Sequence, residues 1–301
     1  ELSEHKKTEK ALQQSLNELE QSRGSEMSLL NDLRAEIIVR KEAEEQVLAH
    51  LKDQRVISEF SRALVLIHSK DEIYEYIGKR IFEVAGDAYV LVVKSDAKDN
   101  TIRISQTFGL DDMIEKVRTY TGFEALNFKI SISDLNDEHR ALYYSKELML
   151  LPEKSLYTLA AHNVNEEVCK AIEMIAGIKK VYTIGFTLEN QLYGGIAILC
   201  KNNCNLTQVS LIENLTNLAS VALQRLNAEE QLQEERDNLD AILSASPVGM
   251  LVIDENEHIV TANSEACRLF QNDLEQKPFQ HCGEFIGCKN SFENHKGCGF
   301  S

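Results

Sequence analysis

An apolar position recurs every seven residues through 1–54, and this pattern predicts a coiled-coil helix. One heptad position holds Leu12, Leu19, Leu33 and Val47, and the other holds Leu16, Leu30, Ile37 and Leu51. Such a repeat is the seam of a left-handed coiled coil. The same two positions also carry charged residues, at Arg23, Glu26, Arg40 and Glu44. We therefore expect an adjustable homodimer through this helix; the alternative is a single amphipathic helix that packs on its own domain.

The period changes after residue 55, where a globular domain is predicted to begin. A stripe at Ile57, Phe60, Leu64 and Ile67 indicates a helix that packs on a core. The elements predicted after it are a helix over 70–84, a hairpin of strands 88–94 and 101–108, a short helix over 111–120 and a strand over 128–133.

A second hairpin is predicted near the end of this domain. Asn165 and Gly177 are suited to the start and the end of a helix. The strands 180–188 and 192–200 follow that helix. Two adjacent glycines inside the last strand, at 194 and 195, predict a bulge or a close approach of the backbone.

A long helix is predicted to connect this domain to the last part of the chain. It begins near Leu206 and contains no breaker before Pro247. Its second half is polar, so residues 227–238 are assigned as a helical linker that is either solvated or paired in a second coiled coil.

The order of elements over residues 55–226 resembles the GAF domain, a class of sensor domain. The closing strands and helix, at 185–226, look like those of the family. The resemblance implies an antiparallel sheet with helices on one face and a pocket for a small ligand. The asparagine-lysine-phenylalanine-aspartate motif of cyclic-nucleotide-binding GAF domains is absent, and no stretch matches the cysteine context by which phytochromes attach bilin. Both ligands are therefore disfavoured.

The candidates for this ligand pocket are Tyr89, Phe108, Phe123, His162, Cys169 and Tyr182. His162 is included because loops of its kind cover the ligand site in GAF domains. Haem-binding GAF domains occur in archaeal sensor kinases, so the resemblance implies haem as one possible class of ligand. Cys169 would then be a haem ligand, or it would be a reactive thiol. The alternatives are a solvated histidine, a buried structural cysteine and aromatic side chains that only fill the core.

Residues 239–301 are similar to the opening of a PAS domain, a second class of sensor domain. The stretch 239–270 predicts a helix end, a strand, a tight turn at Asp254 and Asn256, a second strand, and a short helix after Asn263. A complete PAS domain needs further strands beyond Ser301, so we expect the chain to be a piece of a longer protein.

Cysteines cluster at the end of the PAS-like part. Gly287-Cys288 and Cys298-Gly299 look like the first half of a cysteine pattern found in some archaeal and bacterial sensor kinases. Cys282, Cys288 and Cys298, with two histidines nearby, supply soft ligands that suit zinc or an iron–sulfur cluster. Redox sensing is a further hypothesis, and the alternative is a loop of reduced thiols without metal.

Composition narrows the function classes. The formal net charge of −16 disfavours binding to nucleic acid or to an anionic membrane. The chain has no apolar run long enough to span a bilayer, and its charged first residues are unlike a signal peptide, so a cytoplasmic location is expected. No nucleotide-binding loop, hydrolase elbow, zinc-protease motif or kinase glycine box is present, and these residues are therefore expected to be non-enzymatic.

The patterns together predict an α+β chain with a coiled-coil helix, a GAF-like domain, a connecting helix and a partial PAS-like domain. The resemblances imply the sensory input module of a signal-transduction protein, expected to be a two-component histidine kinase with its kinase domain elsewhere. A small ligand or a redox signal would bias dimeric helical linkers. The alternative is a GAF-like unit that has no ligand and serves only for dimerisation.

Overall fold

The computed structural model describes residues 2–125, 128–152, 155–201, 204, 206–255, 258–271 and 282–287. Two compact units form the chain, residues 1–223 and residues 224–301. The α+β fold class predicted from the sequence is confirmed, because each unit combines antiparallel strands with helices. Among the described helices, none combines the length and the apolar composition that crossing a membrane would require.

The first unit begins with helix α1 (Leu2–Leu66), which is continuous across the predicted change of period. Phe60 and Leu64 near its end are buried, as the core-packing stripe predicts. Helix α2 (Lys70–Ala85) follows, and the Tyr76 ring stacks on Phe60 with 5.1 Å between ring centroids. The seam side chains Leu12, Leu16, Leu19, Glu26 and Leu30 lie outside the described part of the chain.

A six-stranded antiparallel sheet forms the centre of this unit, in the order β3-β2-β1-β6-β5-β4. Its strands are β1 (Ala88–Asp96), β2 (Thr101–Phe108), β3 (Lys129–Ser131), β4 (Met149–Leu150), β5 (Lys180–Leu188) and β6 (Gln191–Cys200). Both predicted hairpins are confirmed, and β1 joins them by pairing with β6. The predicted strand over 128–133 is shorter, because a 3₁₀ turn (Ile132–Asp134) ends it.

Close backbone contacts at glycines confirm the prediction for the last strand. The register of β5 against β6 shifts between Phe186 and Thr187, next to the pair of Phe186 with Gly194. Gly194 has a φ of +149°, and a Cβ there would lie 2.1 Å from the carbonyl oxygen of Val93. A side chain at this position would therefore separate β6 from β1. Cys200, the last residue of β6, forms a disulfide with Cys204.

Helices cover both faces of the sheet, which corrects the expectation of helices on one face. Helices α3 (Asp111–Thr121), α4 (Asp137–Tyr143), α5 (Ser155–Leu159) and α6 (Glu166–Ala176) belong to one face. On the other face α2 packs closely, since a Cβ at Gly78 would lie 2.6 Å from Val92 Cγ2. Both faces of the central strands are thus buried.

Helix α7 (Val209–Ala245) is one long helix, as predicted. Its first part is buried along one side, at Leu211, Ile212, Leu215, Ala219 and Leu223. Every side chain from residue 228 to residue 242 is exposed, and the predicted linker 227–238 lies in this part except for its half-buried first residue.

The second unit contains a two-stranded sheet of β7 (Leu251–Ile253) and β8 (Ile259–Ala262), followed by α8 (Ser264–Phe270) and α9 (Cys282–Phe285). The predicted turn between the strands is stabilised by Asp254, whose carboxylate accepts a hydrogen bond from the His258 amide at 2.8 Å. Its predicted partner, Asn256, lies outside the described residues.

Candidate functional site

A cavity of about 140 Å³ lies between the sheet and helices α3 to α6. The strands present alternate residues to one face, so β1 and β6 contribute Leu91, Val93, Ala197 and Leu199. The helices and their connections contribute Met113, Ile114, Val117, Phe123, Phe128, Leu156, Leu159, Cys169, Ile172 and Ala176. The wall is therefore almost entirely apolar.

The polar groups at the cavity wall are already bonded or neutral. The Tyr143 hydroxyl donates a hydrogen bond to the Leu159 carbonyl, and burial raises the pKa of Tyr143 well above its ordinary value. Thr183 Oγ1 donates to the Ile196 carbonyl at 3.3 Å. Burial, reinforced by the charges of nearby glutamates, raises the pKa of the Cys169 thiol to about 11.

Arg103 borders the cavity, but its side chain belongs to the opposite face. It pairs in register with Lys94, and directly paired residues share a face of the sheet. The Lys94 ammonium lies 2.7 Å from the Asp71 carboxylate of α2, on the face away from the cavity. No other charged residue is among the described residues that line the cavity. The described part of the cavity wall therefore presents no charge to a ligand.

A cluster of rings lies at the same side of the sheet, where α4 meets the segment after α5. The His162 ring stacks on Tyr157 at 4.3 Å and contacts His139 edge-on at 4.7 Å. His139 is 3% exposed, and its Nε2 has no hydrogen-bond partner among the described residues. Burial, and secondarily His162, lowers the pKa of His139. Burial thus favours the neutral form of this ring.

Left-handed backbone places His162 in this cluster. Ala161 and His162 have φ values of +47° and +62°, a conformation that costs about 1–3 kcal/mol for residues other than glycine. The Asn163 side-chain amide donates hydrogen bonds to the carbonyls of Ala160 and Ala161 at 3.3 and 3.2 Å, which stabilises the turn.

The structure separates the six predicted ligand candidates. Phe123 and Cys169 line the cavity, whereas Tyr89 belongs to the adjoining core with the Lys201 ammonium 4.4 Å from its ring centre. His162 lies in the ring cluster rather than on the cavity wall. Phe108 and Tyr182 pair with residues of the opposite face, and Phe108 contacts Phe82 of α2.

Sequence reasoning missed His139, Tyr143 and Tyr157. They lie in a segment for which no element was predicted. One signal was present: Asn136 followed by two acidic residues is a typical helix start, and its side chain accepts a hydrogen bond from the His139 amide at 2.8 Å.

The described cavity does not fit haem. Its volume is close to that of an engineered cavity of about 150 Å³ that binds benzene, and a porphyrin is several times larger. His162 is not on the wall, and the raised pKa of Cys169 disfavours the thiolate that ligates haem iron. No chemistry through haem follows from these residues.

The predicted metal or redox cysteines are described only in part. Cys282 is buried and packs with Ile259 and Phe285. Cys288 and Cys298 lie outside the described residues. Within the described part of the chain, no group of three histidine, cysteine or acidic side chains could hold a metal ion.

Asn263 organises the second unit. Its side-chain oxygen accepts hydrogen bonds from the Ala266 amide at 2.9 Å, which caps α8, and from the Met250 amide at 2.8 Å. Its side-chain nitrogen donates to the carbonyls of Leu243 and Val248 at 3.0 and 2.8 Å. One buried amide thereby joins the end of α7, the approach to β7 and the start of α8.

Comparison with known proteins gives one family match. Residues 237–297 match the family model of the PAS domain, in agreement with the resemblance of the second unit. Among curated proteins, none is significantly similar to this chain.

Three of the solved structures that are similar to this chain are bacteriophytochromes. The chromophore-binding domain of an unusual bacteriophytochrome from R. palustris has a TM-score of 0.42 and 14% identity, over 58% of this chain and 62% of that chain. A bacteriophytochrome from the photosynthetic bacterium R. palustris has a TM-score of 0.44 and 15% identity, over 66% of this chain and 43% of that chain. A mutant chromophore-binding domain of Stigmatella aurantiaca bacteriophytochrome in the Pr state has a TM-score of 0.42 and 13% identity, over 58% of this chain and 60% of that chain. This chain thus matches less than two thirds of each.

Proposed function

We propose that this chain is the sensory input module of a signal-transduction protein, in which a small molecule binds in the cavity of a GAF-like first unit. The observation that carries the proposal is that the strands forming the cavity wall also support α2 on their other face. Leu91 and Val93 face the cavity, while Val90 and Val92, which alternate with them, are fully buried on the α2 face.

This arrangement offers a physical route from the cavity to the helices. A closely packed interior transmits displacement, and Gly78 leaves no space between α2 and Val92. A ligand that shifts β1 would therefore shift α2. The stacked rings of Tyr76 and Phe60 continue the contact from α2 to α1. A ligand acts on such a system only through its differential affinity for two arrangements of these elements.

Dimerisation through α1 is part of the proposal. Four seam residues that the structure describes are exposed in the single chain, at Leu33, Ile37, Val47 and Leu51. The charged seam residues Arg40 and Glu44 bond each other at 2.9 Å within one helix. Pairing with a second copy would bury the apolar positions, and the charged positions would keep the pairing weak enough to adjust.

The output is proposed to lie elsewhere in the whole protein, in a histidine kinase domain of a two-component system. The residues of this chain would be non-enzymatic, and the PAS-like second unit would act as a second sensor or relay. Zinc, an iron–sulfur cluster or redox sensing at Cys282, Cys288 and Cys298 stays a hypothesis for that unit, as does the cytoplasmic location.

A ligand-free dimerisation module is the second candidate. The observation that favours it is the small volume of the cavity, about 140 Å³, against about 300–1,000 Å³ for ordinary ligand pockets. In that case the side chains would fill the interior well enough for stability, and the unit would only hold two chains together.

A thermal-shift screen of neutral and charged small molecules on the full chain separates the two candidates. Ligands that bind the folded state raise its melting temperature. The control is Ala197→Leu, which adds three carbon atoms at the cavity wall. We expect ligands that stabilise the wild type and leave this variant unchanged. Stabilisation by no compound, or equally of both proteins, would support the ligand-free module.

A further inference from the structure

The size of the cavity limits its ligand to a few heavy atoms. An engineered protein cavity of about 150 Å³ lined by leucine, isoleucine and phenylalanine stays dry and binds benzene or xenon. The cavity of about 140 Å³ in this chain has the same kind of lining. Nucleotides, tetrapyrroles and fused-ring cofactors exceed this volume.

The wall also selects against charge and against hydrogen-bonding groups. Tyr143 and Thr183 donate their hydroxyl protons to backbone carbonyls, and the Cys169 thiol is neutral. A carboxylate or an ammonium group would be buried there without a counter-charge among the described residues, which is strongly unfavourable. A ligand with no polar group has no such cost.

Aromatic and sulfur groups at the wall favour a flat aromatic ring over an aliphatic one. Phe123 and Phe128 lie with ring centroids 5.7 Å apart at an interplanar angle of 59°, and both border the cavity. Aromatic rings attract each other in tilted and offset arrangements. Met113 also borders the cavity, and thioether side chains make favourable contacts with aromatic rings.

We infer that the first unit binds a neutral monocyclic aromatic molecule of about the size of benzene or toluene. This inference rests on the proposed function and adds the chemical class of the ligand. The ring would occupy the space lined by Leu91 and Ala197 of the sheet, by Cys169 of α6 and by the phenylalanine pair.

The test is a calorimetric melting series of the full chain with toluene, benzoate and methylcyclohexane. Methylcyclohexane has as many heavy atoms as toluene but lacks the aromatic ring, and benzoate keeps the ring but replaces the methyl group with a charged carboxylate. We expect toluene to raise the melting temperature, and benzoate to bind at least about a hundredfold more weakly because its carboxylate would be unpaired. Methylcyclohexane should bind more weakly than toluene. Equal or tighter binding of either competitor would overturn the inference.

Two variants locate the binding. Ala197→Leu should abolish the effect of toluene, whereas Ala88→Leu, a buried position of the same strand pair outside the cavity, should retain it. Leu91→Ala enlarges the cavity and should admit naphthalene, which the wild type should reject. A toluene effect that survives in Ala197→Leu would contradict the proposed site.

The two proposals fail differently in these experiments. If a molecule of another class stabilises the wild type and not Ala197→Leu, the ligand class is wrong while the sensory function stands. If no molecule has this pattern, the proposed function fails together with the ligand class.

Discussion

Replacement of Asn263 should loosen the second unit without affecting the first. Asn263 is 5% exposed, and its amide group makes four hydrogen bonds between 2.8 and 3.0 Å. A net intramolecular hydrogen bond contributes about 0.5–1.5 kcal/mol, and a buried partner left unsatisfied costs about 1–3 kcal/mol. Because the four partners can rearrange in part, we expect Asn263→Ala to cost about 2–4 kcal/mol of local stability.

The serine variant separates the two halves of this effect. Serine caps helices about as well as asparagine, so Asn263→Ser should recover about 1 kcal/mol through the Ala266 amide. It cannot donate both bonds to the carbonyls of Leu243 and Val248, and the remaining cost should persist. The order of stability is therefore expected to be asparagine, then serine, then alanine.

Amide hydrogen exchange measured by mass spectrometry reports this local stability. Since a factor of ten corresponds to about 1.4 kcal/mol, exchange across β7 and β8 should accelerate about 30- to 700-fold in Asn263→Ala. Exchange in β5 and β6 of the first unit is the internal control and should not change. An acceleration below about threefold in the alanine variant would refute the assignment of Asn263 as the residue that joins these elements.

Three further predictions concern the first unit. In the coiled-coil helix, Ile37→Glu should weaken self-association in sedimentation experiments, whereas Ile38→Glu should not; the two side chains are similarly exposed, at 64% and 58%, but only Ile37 lies on the seam. At the ring cluster, the pKa of His139 in the folded chain lies below its ordinary value of 6.5. As the pH falls, the unfolded chain therefore takes up this proton before the folded chain does. The free energy of unfolding is at its full value above pH 6.5 and decreases as the pH drops toward the folded pKa. Urea unfolding at several pH values should show this loss in the wild type and less of it in His139→Phe. At the sheet, Gly185→Ala should cost about 2–3 kcal/mol, because its Cβ would lie 2.1 Å from the Tyr143 carbonyl oxygen.

Each of these three predictions has a comparison variant in the same chain. Equal self-association of the two glutamate variants would contradict the predicted seam. The charge of Glu138 opposes the shift of His139, so Glu138→Gln should steepen the acid loss. Gly195→Ala meets its nearest backbone oxygen at 2.8 Å and should cost less than Gly185→Ala.

Elements with a strict period were predictable from the sequence, and short elements were not. Strand β2 and helix α6 have the predicted bounds, because alternation and the caps at Asn165 and Gly177 are local signals. Helix α1 stays continuous through the change of period, since no glycine or proline lies between Gly24 and Gly78. Helices α4 and α5 have seven and five residues, too few for a period to show.

The sequence of β1 indicates that helices cover both faces of the sheet, although helices were predicted on one face only. The run from Ala88 to Val93 is apolar without alternation, as expected for a strand buried on both faces. For the same reason Phe108 and Tyr182 were assigned to the pocket although they belong to the α2 face. Which residues line a cavity depends on the register of distant strands, and local patterns do not contain that information.

The place of β1 in the sheet affects how the chain is made. Its second neighbour, β6, begins 95 residues after β1 ends at Asp96. At about 5–20 residues per second, a ribosome needs about 5–20 s to supply that neighbour. During this interval the apolar edge of β1 has no partner on one side, and unpaired edges promote aggregation. Synthesis of this unit should therefore depend on chaperones, or on slow assembly of the two hairpins, more than its size suggests.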